Sequence, residues 1–248
     1  MGIVFRRRCA ALIINIDVKG LWLEVVCAAY LSKDKVLYKE LNARLDIHAD
    51  NQAKFKLPDR LIAKGFKFKL LYGASEYGFA QDPDFTFIST KPKYWREVID
   101  RYYNKYQGIK EWHESIIQQV AKDSKLVTPF GRTFVWDLMQ YGEYKIPTTQ
   151  VKNYPVQGTG SDVVMIARVA LFKRLLAKNI VCDLVCTVHD SIVIDCKKEY
   201  TAEIIKTVEE VFQDLPNIIN KLFDINWDLE VRVEIKTGND LFNLKEIE

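Results

Sequence analysis

Leu184-Val185-Cys186-Thr187-Val188-His189-Asp190-Ser191-Ile192-Val193-Ile194 reads as two extended runs folded back on one another. β-Branched and apolar residues flank the turn-forming His189-Asp190-Ser191, which is the pattern of a tight β-hairpin whose turn displays Asp190. Far upstream, Ala10 to Asp17 is apolar, rich in isoleucine, and ends in an acid. That pattern predicts a buried strand delivering a carboxylate at its tip. Downstream, Leu229 to Ile235 alternates as a half-buried strand, and helical periodicity fills Gly158 to Lys178 and Tyr200 to Leu222 on either side of the hairpin.

Between the first strand and this helix–hairpin–helix–strand block the chain is mostly helical. Glu24 to Ser32 reads as helix, Leu45 to Ala49 as a junction, and Pro58-Asp59 as the opening of a helix that Gly73 ends or bends. After a loop holding Asp82-Pro83-Asp84 and Lys91-Pro92, Tyr94 to Lys122 is a long amphipathic helix with Gly108 as a point of interruption; Val127 to Ile146 breaks into short extended pieces and turns. The expected fold class is α+β, a small antiparallel sheet with helices interrupted by a mostly helical lobe.

The 248 residues, 48% of them hydrophobic, suffice for one large domain or two lobes. Lysine plus arginine exceed aspartate plus glutamate by 36 − 33 = 3, so any nucleic-acid groove has to be basic locally and not through net charge. Cys9, Cys27, Cys182, Cys186 and Cys196 show no zinc-ligand spacing, which points to reduced thiols. No apolar run approaches a membrane span, and no signal peptide is legible at the start. The expected setting is the cytoplasm, with no membrane partner.

The helix after Pro58-Asp59 carries Arg60, Lys64, Phe68 and Tyr72 at four-residue spacing, then Gly73. Such positions drift by about 40° per step and so share one face. Guanidinium and ammonium meet phosphates; the rings meet sugar and base. Asp17 and Asp190, at the tips of neighbouring strands, make the donor set for two Mg²⁺ ions, which accept carboxylate and phosphate oxygens and retain water; Mn²⁺ is a possible substitute. Taken singly, the basic face also reads as a solvated surface, Asp17 as a helix cap and Asp190 as an ordinary turn residue.

Together these segments resemble the family A, DNA polymerase I-like, DNA polymerases, in one unbroken order from about Ile13 to the C-terminus. Asp17 looks like the first catalytic aspartate, Val188-His189-Asp190 like the hairpin bearing the second, and Arg60, Lys64, Phe68, Tyr72 and Gly73 like the fingers helix. Asn153-Tyr154-Pro155-Val156-Gln157-Gly158 resembles the primer-template segment; Phe130-Gly131-Arg132 and Asp46-Ile47-His48 sit where similar short motifs fall. The resemblance implies a polymerase palm in 1–32 and 149–248 and fingers in 33–148. It further implies that Asp17, Asp190 and the backbone carbonyl of Val18 bind two metals while a primer 3′-hydroxyl attacks the α-phosphorus of a dNTP. Arg60, Lys64 and His48 would hold the triphosphate, with Lys64 also an acid to the pyrophosphate. Phe68 would lie against the sugar, disfavouring dideoxynucleotides, and Tyr72 against the forming pair. Asn153, Gln157, His189 and Arg132 would contact primer-template DNA, the two amides reading minor-groove acceptors.

Three positions depart from the family. The glutamate that excludes ribonucleotides falls on Glu24, seven residues after Asp17 and two further than usual, while counting forward from Asp17 puts Trp22 at that place. Ser191 stands where most members have a second acid, and Thr149 where an arginine is frequent. Only sixteen residues precede Asp17, too few for a thumb or an exonuclease domain. The resulting expectation is a split, phage-type polymerase whose thumb, and a 3′–5′ exonuclease, lie on a second polypeptide. Two rivals stand beside it: a single-subunit RNA polymerase, which shares a His-Asp-Ser turn, and a catalytically silent nucleic-acid-binding subunit.

Overall fold

A computed structural model describes residues 11–18, 22–140 and 142–247. In chain order they form β1 (Ala11–Val18), α1 (Trp22–Ser32), α2 (Lys35–Asn42), α3 (Ile47–Phe55), α4 (Arg60–Leu71), α5 (Glu76–Gln81), α6 (Pro92–Lys105) and α7 (Gln107–Asp123). There follow β2 (Lys125–Val127), β3 (Thr133–Val135), β4 (Met139–Gln140), β5 (Glu143–Tyr144), α8 (Thr148–Ala177), β6 (Cys182–Val188), β7 (Ser191–Lys197), α9 (Thr201–Phe223), β8 (Val233–Gly238) and β9 (Lys245–Glu246). The fold is α+β and divides into two compact units. One runs to Val26 and resumes at Thr159; the other is Cys27–Gly158.

The first unit is built on an antiparallel sheet of order β6-β7-β1-β8-β9. β1 is central because one face is wholly apolar: Ile14, Ile16 and Val18 are fully buried, while Ile13, Asn15 and Asp17 alternate onto the less buried face. Its register sets Ile14 opposite Ile194 and Ile16 between Ile192 and Ile235, a β-branched layer that fixes pairing because a one-residue slip would turn every isoleucine outward. Val163, Val164, Ala167, Leu171 and Leu175 of α8, with Ile204, Val208, Val211, Leu215 and Ile219 of α9, supply further buried apolar surface. Lys178, just beyond α8, donates to Thr207 Oγ1 (3.0 Å) and Glu210 Oε2 (2.7 Å) of α9, and Arg174 of α8 pairs with Asp214.

The second unit is organised around α4. Phe66, on the side away from Arg60 and Lys64, enters an aromatic core with Phe79 (ring centroids 4.9 Å), Phe55 (6.2 Å) and Trp95 (6.2 Å), and Phe85 meets Trp95 edge-on at 5.4 Å. Beside it, Lys105 donates to Glu40 Oε1 (2.7 Å), Asp50 Oδ2 (2.7 Å) and Asn51 Oδ1 (2.6 Å), while the Tyr106 hydroxyl donates to Glu40 Oε2 at 2.7 Å. These bonds tie α2, α3 and the α6–α7 junction together. Ile116, Val120, Leu126, Trp136, Leu138 and Val151 form a separate cluster beneath β2 and β3.

Several boundaries differ from the sequence expectation. α2, α5 and the start of α3 were not foreseen; the supposed junction at Leu45–Ala49 contains an N-cap, Asp46, whose Oδ1 accepts from His48 N and Ala49 N at 3.1 Å. Asp59 caps α4 by accepting from Ile62 N (2.8 Å), leaving Pro58 outside the helix rather than in its first turn. The long helix breaks at Tyr106, two residues before Gly108, where φ −112° and ψ 71° leave the helical region. α8 begins at Thr148 instead of Gly158 and continues through Pro155. The proline forfeits the bond to the Val151 carbonyl, but Tyr154 packs on Phe134 (5.5 Å) and Trp136 (6.1 Å) and holds that turn. The alternation at Leu229–Arg232 marks burial rather than a ladder, since the Leu229 carbonyl accepts from Trp227 Nε1 (2.8 Å) and the strand starts at Val233.

Candidate active site

In the sheet unit, β1 and the β6–β7 hairpin bring Asp17 and Asp190 together. Val18 N donates to the Asp190 carbonyl at 3.1 Å, and Asp17 pairs in register with Ser191, so backbone bonds fix the spacing of the two acids. His189 adopts φ 54°, a left-handed conformation that lets two residues reverse the chain. Ser191 Oγ donates to the Val188 carbonyl (3.0 Å), closing the turn. The Asp17 carboxyl is held above the usual carboxylate range, first by burial and then by the charge of Asp190; Lys236 opposes the shift and Glu234 adds to it. Glu234 lies within 3.7 Å of Lys236.

Among the described residues no three or more His, Cys, Asp or Glu side chains are gathered into a cage. The donor set nevertheless suits a hard divalent cation: two carboxylates that repel one another gain from a shared positive charge, and Mg²⁺ needs few protein ligands when phosphate and water complete its shell. Val18 ends β1 beside these carboxylates. Glu24 is in the first turn of α1, half-buried, in the same unit. Lys19–Leu21 and the Trp22 side chain, the alternative to Glu24, lie outside the described residues.

In the helical unit, α4 presents its stripe on a gradient of exposure. Arg60 is exposed, Lys64 half-buried, Phe68 buried and Tyr72, the C-cap, half-buried. Phe68 is 6% exposed, with its ring 6.0 Å from His48 and 6.3 Å from Tyr72. The His48 imidazole is pushed down to about 4, by burial first and then by the cations Lys67, Arg60 and Lys64, so it is neutral at physiological pH. Arg60 Nε donates to Asp46 Oδ2 at 2.7 Å. Arg60, His48 and Lys64 therefore sit within one electrostatic neighbourhood, and Asp46 is the side chain that sequence reasoning missed. Its signal was present, an aspartate directly preceding a helical run, but only the histidine two residues on had been assigned a role.

Gly73 ends this helix with φ +88°, and a Cβ there would lie 2.9 Å from Thr149 Cα, so only glycine allows α4 and α8 to approach so closely. Across that approach Gln157 Nε2 donates to the Tyr72 hydroxyl at 2.5 Å. Asn153, one turn earlier on the same face, has its Oδ1 buried with no hydrogen-bond donor. Gly158 lets Arg132 and Phe134 lie against α8; a Cβ would meet Phe134 Cζ at 2.8 Å and Arg132 Cδ at 3.1 Å. Arg60, Lys64, Phe68, Tyr72, His48, Arg132, Asn153 and Gln157 thus belong to one unit, while Asp17, Val18, Glu24, His189 and Asp190 belong to the other.

The geometry accords with known proteins. Relatives include DNA polymerase I of Caldicellulosiruptor bescii, 25% identical over 86% of this chain and 26% of that protein, and DNA polymerase I of Aquifex aeolicus, 25% identical over 87% of this chain and 36% of that protein. Among solved structures, the POL domain of Pol1 from M. smegmatis, in complex with DNA primer-template and dNTP, superposes with a TM-score of 0.76. It is 19% identical, and the match covers 92% of this chain and 40% of that one. The chain accordingly spans about a quarter to a third of the length of these curated relatives. The profile of DNA polymerase family A matches residues 4–242, nearly the whole length, and the chain therefore belongs to that family.

Proposed function

We propose that this chain supplies the palm and fingers of a template-directed DNA polymerase that adds dNTPs to a primer 3′-hydroxyl. The observation that carries the reading is the pairing of Asp17 with Asp190 on adjoining strand ends, where burial and mutual repulsion hold the Asp17 carboxyl high. Asp17, Asp190 and the Val18 carbonyl would hold two divalent cations, which when bound supply Lewis acidity at the primer hydroxyl and charge neutralisation at the leaving pyrophosphate. The chain's other residues bind and orient. Arg60 offers a planar fork of donors to the triphosphate, Lys64 a point charge, and neutral His48 a ring N–H. Lys64 would also give a proton to the departing pyrophosphate.

Tyr72 and Gln157, already hydrogen-bonded, would form the floor under the nascent base pair, with Asn153 and Gln157 testing minor-groove acceptors and Arg132 and His189 steadying the primer-template. Phe68, sealed against His48 and Tyr72, would shape the sugar site, and Glu24 would exclude a 2′-hydroxyl. Duplex grip depends on phosphate contacts over a long surface, so the thumb is assigned to a second polypeptide, with which a 3′–5′ exonuclease would travel. Single-nucleotide incorporation opposite template thymine tests the reading. dATP should be used at least a hundredfold more efficiently than ATP, and equal use would contradict the assignment of the sugar gate and the DNA product.

A further inference from the structure

Strands β6 and β7 set two cysteines opposite one another. The register pairs Cys182 with Cys196, at the end of the hairpin remote from Asp190. Directly opposed residues of an antiparallel pair lie about 4.5–5.5 Å apart at Cα, inside the span of about 4.4–6.8 Å that a disulfide bridges. Opposed side chains also share one face of the sheet. On β7 that face carries the buried Ile192 and Ile194, and Cys196 beside them is 4% exposed, its Sγ donating to the Leu12 carbonyl at 3.7 Å, a weak bond readily given up. Cys182, on the edge strand of the sheet, is only half-buried. Its thiol is pushed up to about 11, first by burial and then by the charges of Cys196 and Asp183, so the two sulfurs lie within electrostatic reach of one another. Both are free thiols. Cys186, the other cysteine of β6, is opposite Val193.

We propose that Cys182 and Cys196 form a reversible disulfide that staples the base of the hairpin carrying Asp190 when the surroundings turn oxidising. The oxidant is a small-molecule disulfide. The thiolate of Cys182, the more accessible of the two, attacks it and releases one small thiol; the Cys196 thiolate then attacks the Cys182 sulfur of the mixed disulfide and releases the second. The Cys182–Cys196 bond forms, the oxidant's S–S bond breaks, and the two protons and two electrons given up by the chain leave with the two small thiols. A thiol held above its ordinary range is mostly protonated at neutral pH, so the bond forms only under sustained oxidation and the resting pair stays reduced. Once formed, it closes a short loop from 182 to 196 and acts chiefly by restricting the unfolded chain. Among the described residues no other rung of this sheet sets two thiols opposite one another. Because both cysteines lie at the far end of their strands from the turn, Asp17 and Asp190 keep their places.

The test incubates the full chain overnight with oxidised glutathione, alkylates the remaining thiols with iodoacetamide in denaturant and cleaves on the N-terminal side of aspartate. Cleavage before Asp183, Asp190 and Asp195 puts Cys182, Cys186 and Cys196 on separate peptides. Mass spectrometry should find the Cys182 and Cys196 peptides joined and the Cys186 peptide unjoined. The oxidised chain should melt about 5–10 °C above the same sample treated with dithiothreitol. Cys182→Ser and Cys196→Ser should each abolish this difference between oxidised and reduced samples, a readout that is independent of what either substitution does to the fold. Cys182 and Cys196 peptides that are separately alkylated or glutathionylated, or either one joined to a different cysteine, would overturn the proposal; a joined pair with no rise in Tm would overturn the staple. None of these outcomes depends on the polymerase reading.

Discussion

Arg60 Nε donates to Asp46 Oδ2 at 2.7 Å, while the other oxygen of the same carboxylate caps α3 two residues before His48. One side chain thus orients both a cation and an imidazole assigned to the triphosphate. The contact is through Nε, which leaves the terminal nitrogens of the guanidinium able to donate to an anion. Because both partners are about half exposed, the pair adds little to stability, under about 1 kcal/mol.

Asp46→Asn keeps a good helix cap but removes the charge that orients Arg60. The expected outcome is a rise in KM for dNTP of roughly three- to tenfold with Tm unchanged, whereas Arg60→Ala raises KM by tenfold or more. Steady-state kinetics with a fixed primer-template separates the two.

The His48 ring, lowered to about 4 by burial and neighbouring cations, stays neutral from pH 6 to pH 8. In the free chain its imidazole resonances, followed by NMR, should not titrate across that interval. A midpoint near 6.5 would show that the ring is solvated and outside the cationic cluster.

Lys67 is fully buried on α4, and burial, opposed by Glu40 and Asp34 and assisted by Lys105, pushes its ammonium down to about 7. Between pH 7 and 10.5 the unfolded chain binds a proton here that the folded chain has lost, so stability rises with pH across that window by up to about 1.4 kcal/mol per unit. Below pH 7 both states are protonated and the full cost of burying the charge is present. Lys67→Met should therefore flatten the rise and stabilise most at pH 6, as read from Tm against pH.

Gly73→Ala adds a methyl at φ +88°, 2.9 Å from the Thr149 backbone. The strain and clash together cost about 2–3 kcal/mol, which lowers Tm by roughly 4–12 °C in a chain of this size. The same change should weaken the Tyr72–Gln157 contact across that approach, so incorporation should fall even where the protein remains folded.

Much of the fold was legible because its signals are local. The isoleucine run of β1, the two β-branched runs around His189-Asp190 and the apolar period of α9 each name their element without tertiary help. The stripe was legible through spacing, since the helix over Arg60–Leu71 and its C-cap Tyr72 carry Arg60, Lys64, Phe68 and Tyr72 at four-residue steps. What escaped was set by partners distant in sequence. α2 is fixed by Asp34, which caps it and also accepts from Gly108 N at 2.8 Å, and α8 tolerates Pro155 because of aromatic rings on a separate hairpin. Asp46 escaped for the same reason, since its second role appears only when α4 lies beside α3.

The central claim is that Asp17 and Asp190 together carry the chemistry, and single-turnover incorporation of one dNTP on a primer-template tests it most directly. Asp17→Ala and Asp190→Ala are each expected to lower the rate at least a thousandfold while the Kd for primer-template stays within threefold. Incorporation at the unsubstituted rate by either variant would contradict the account.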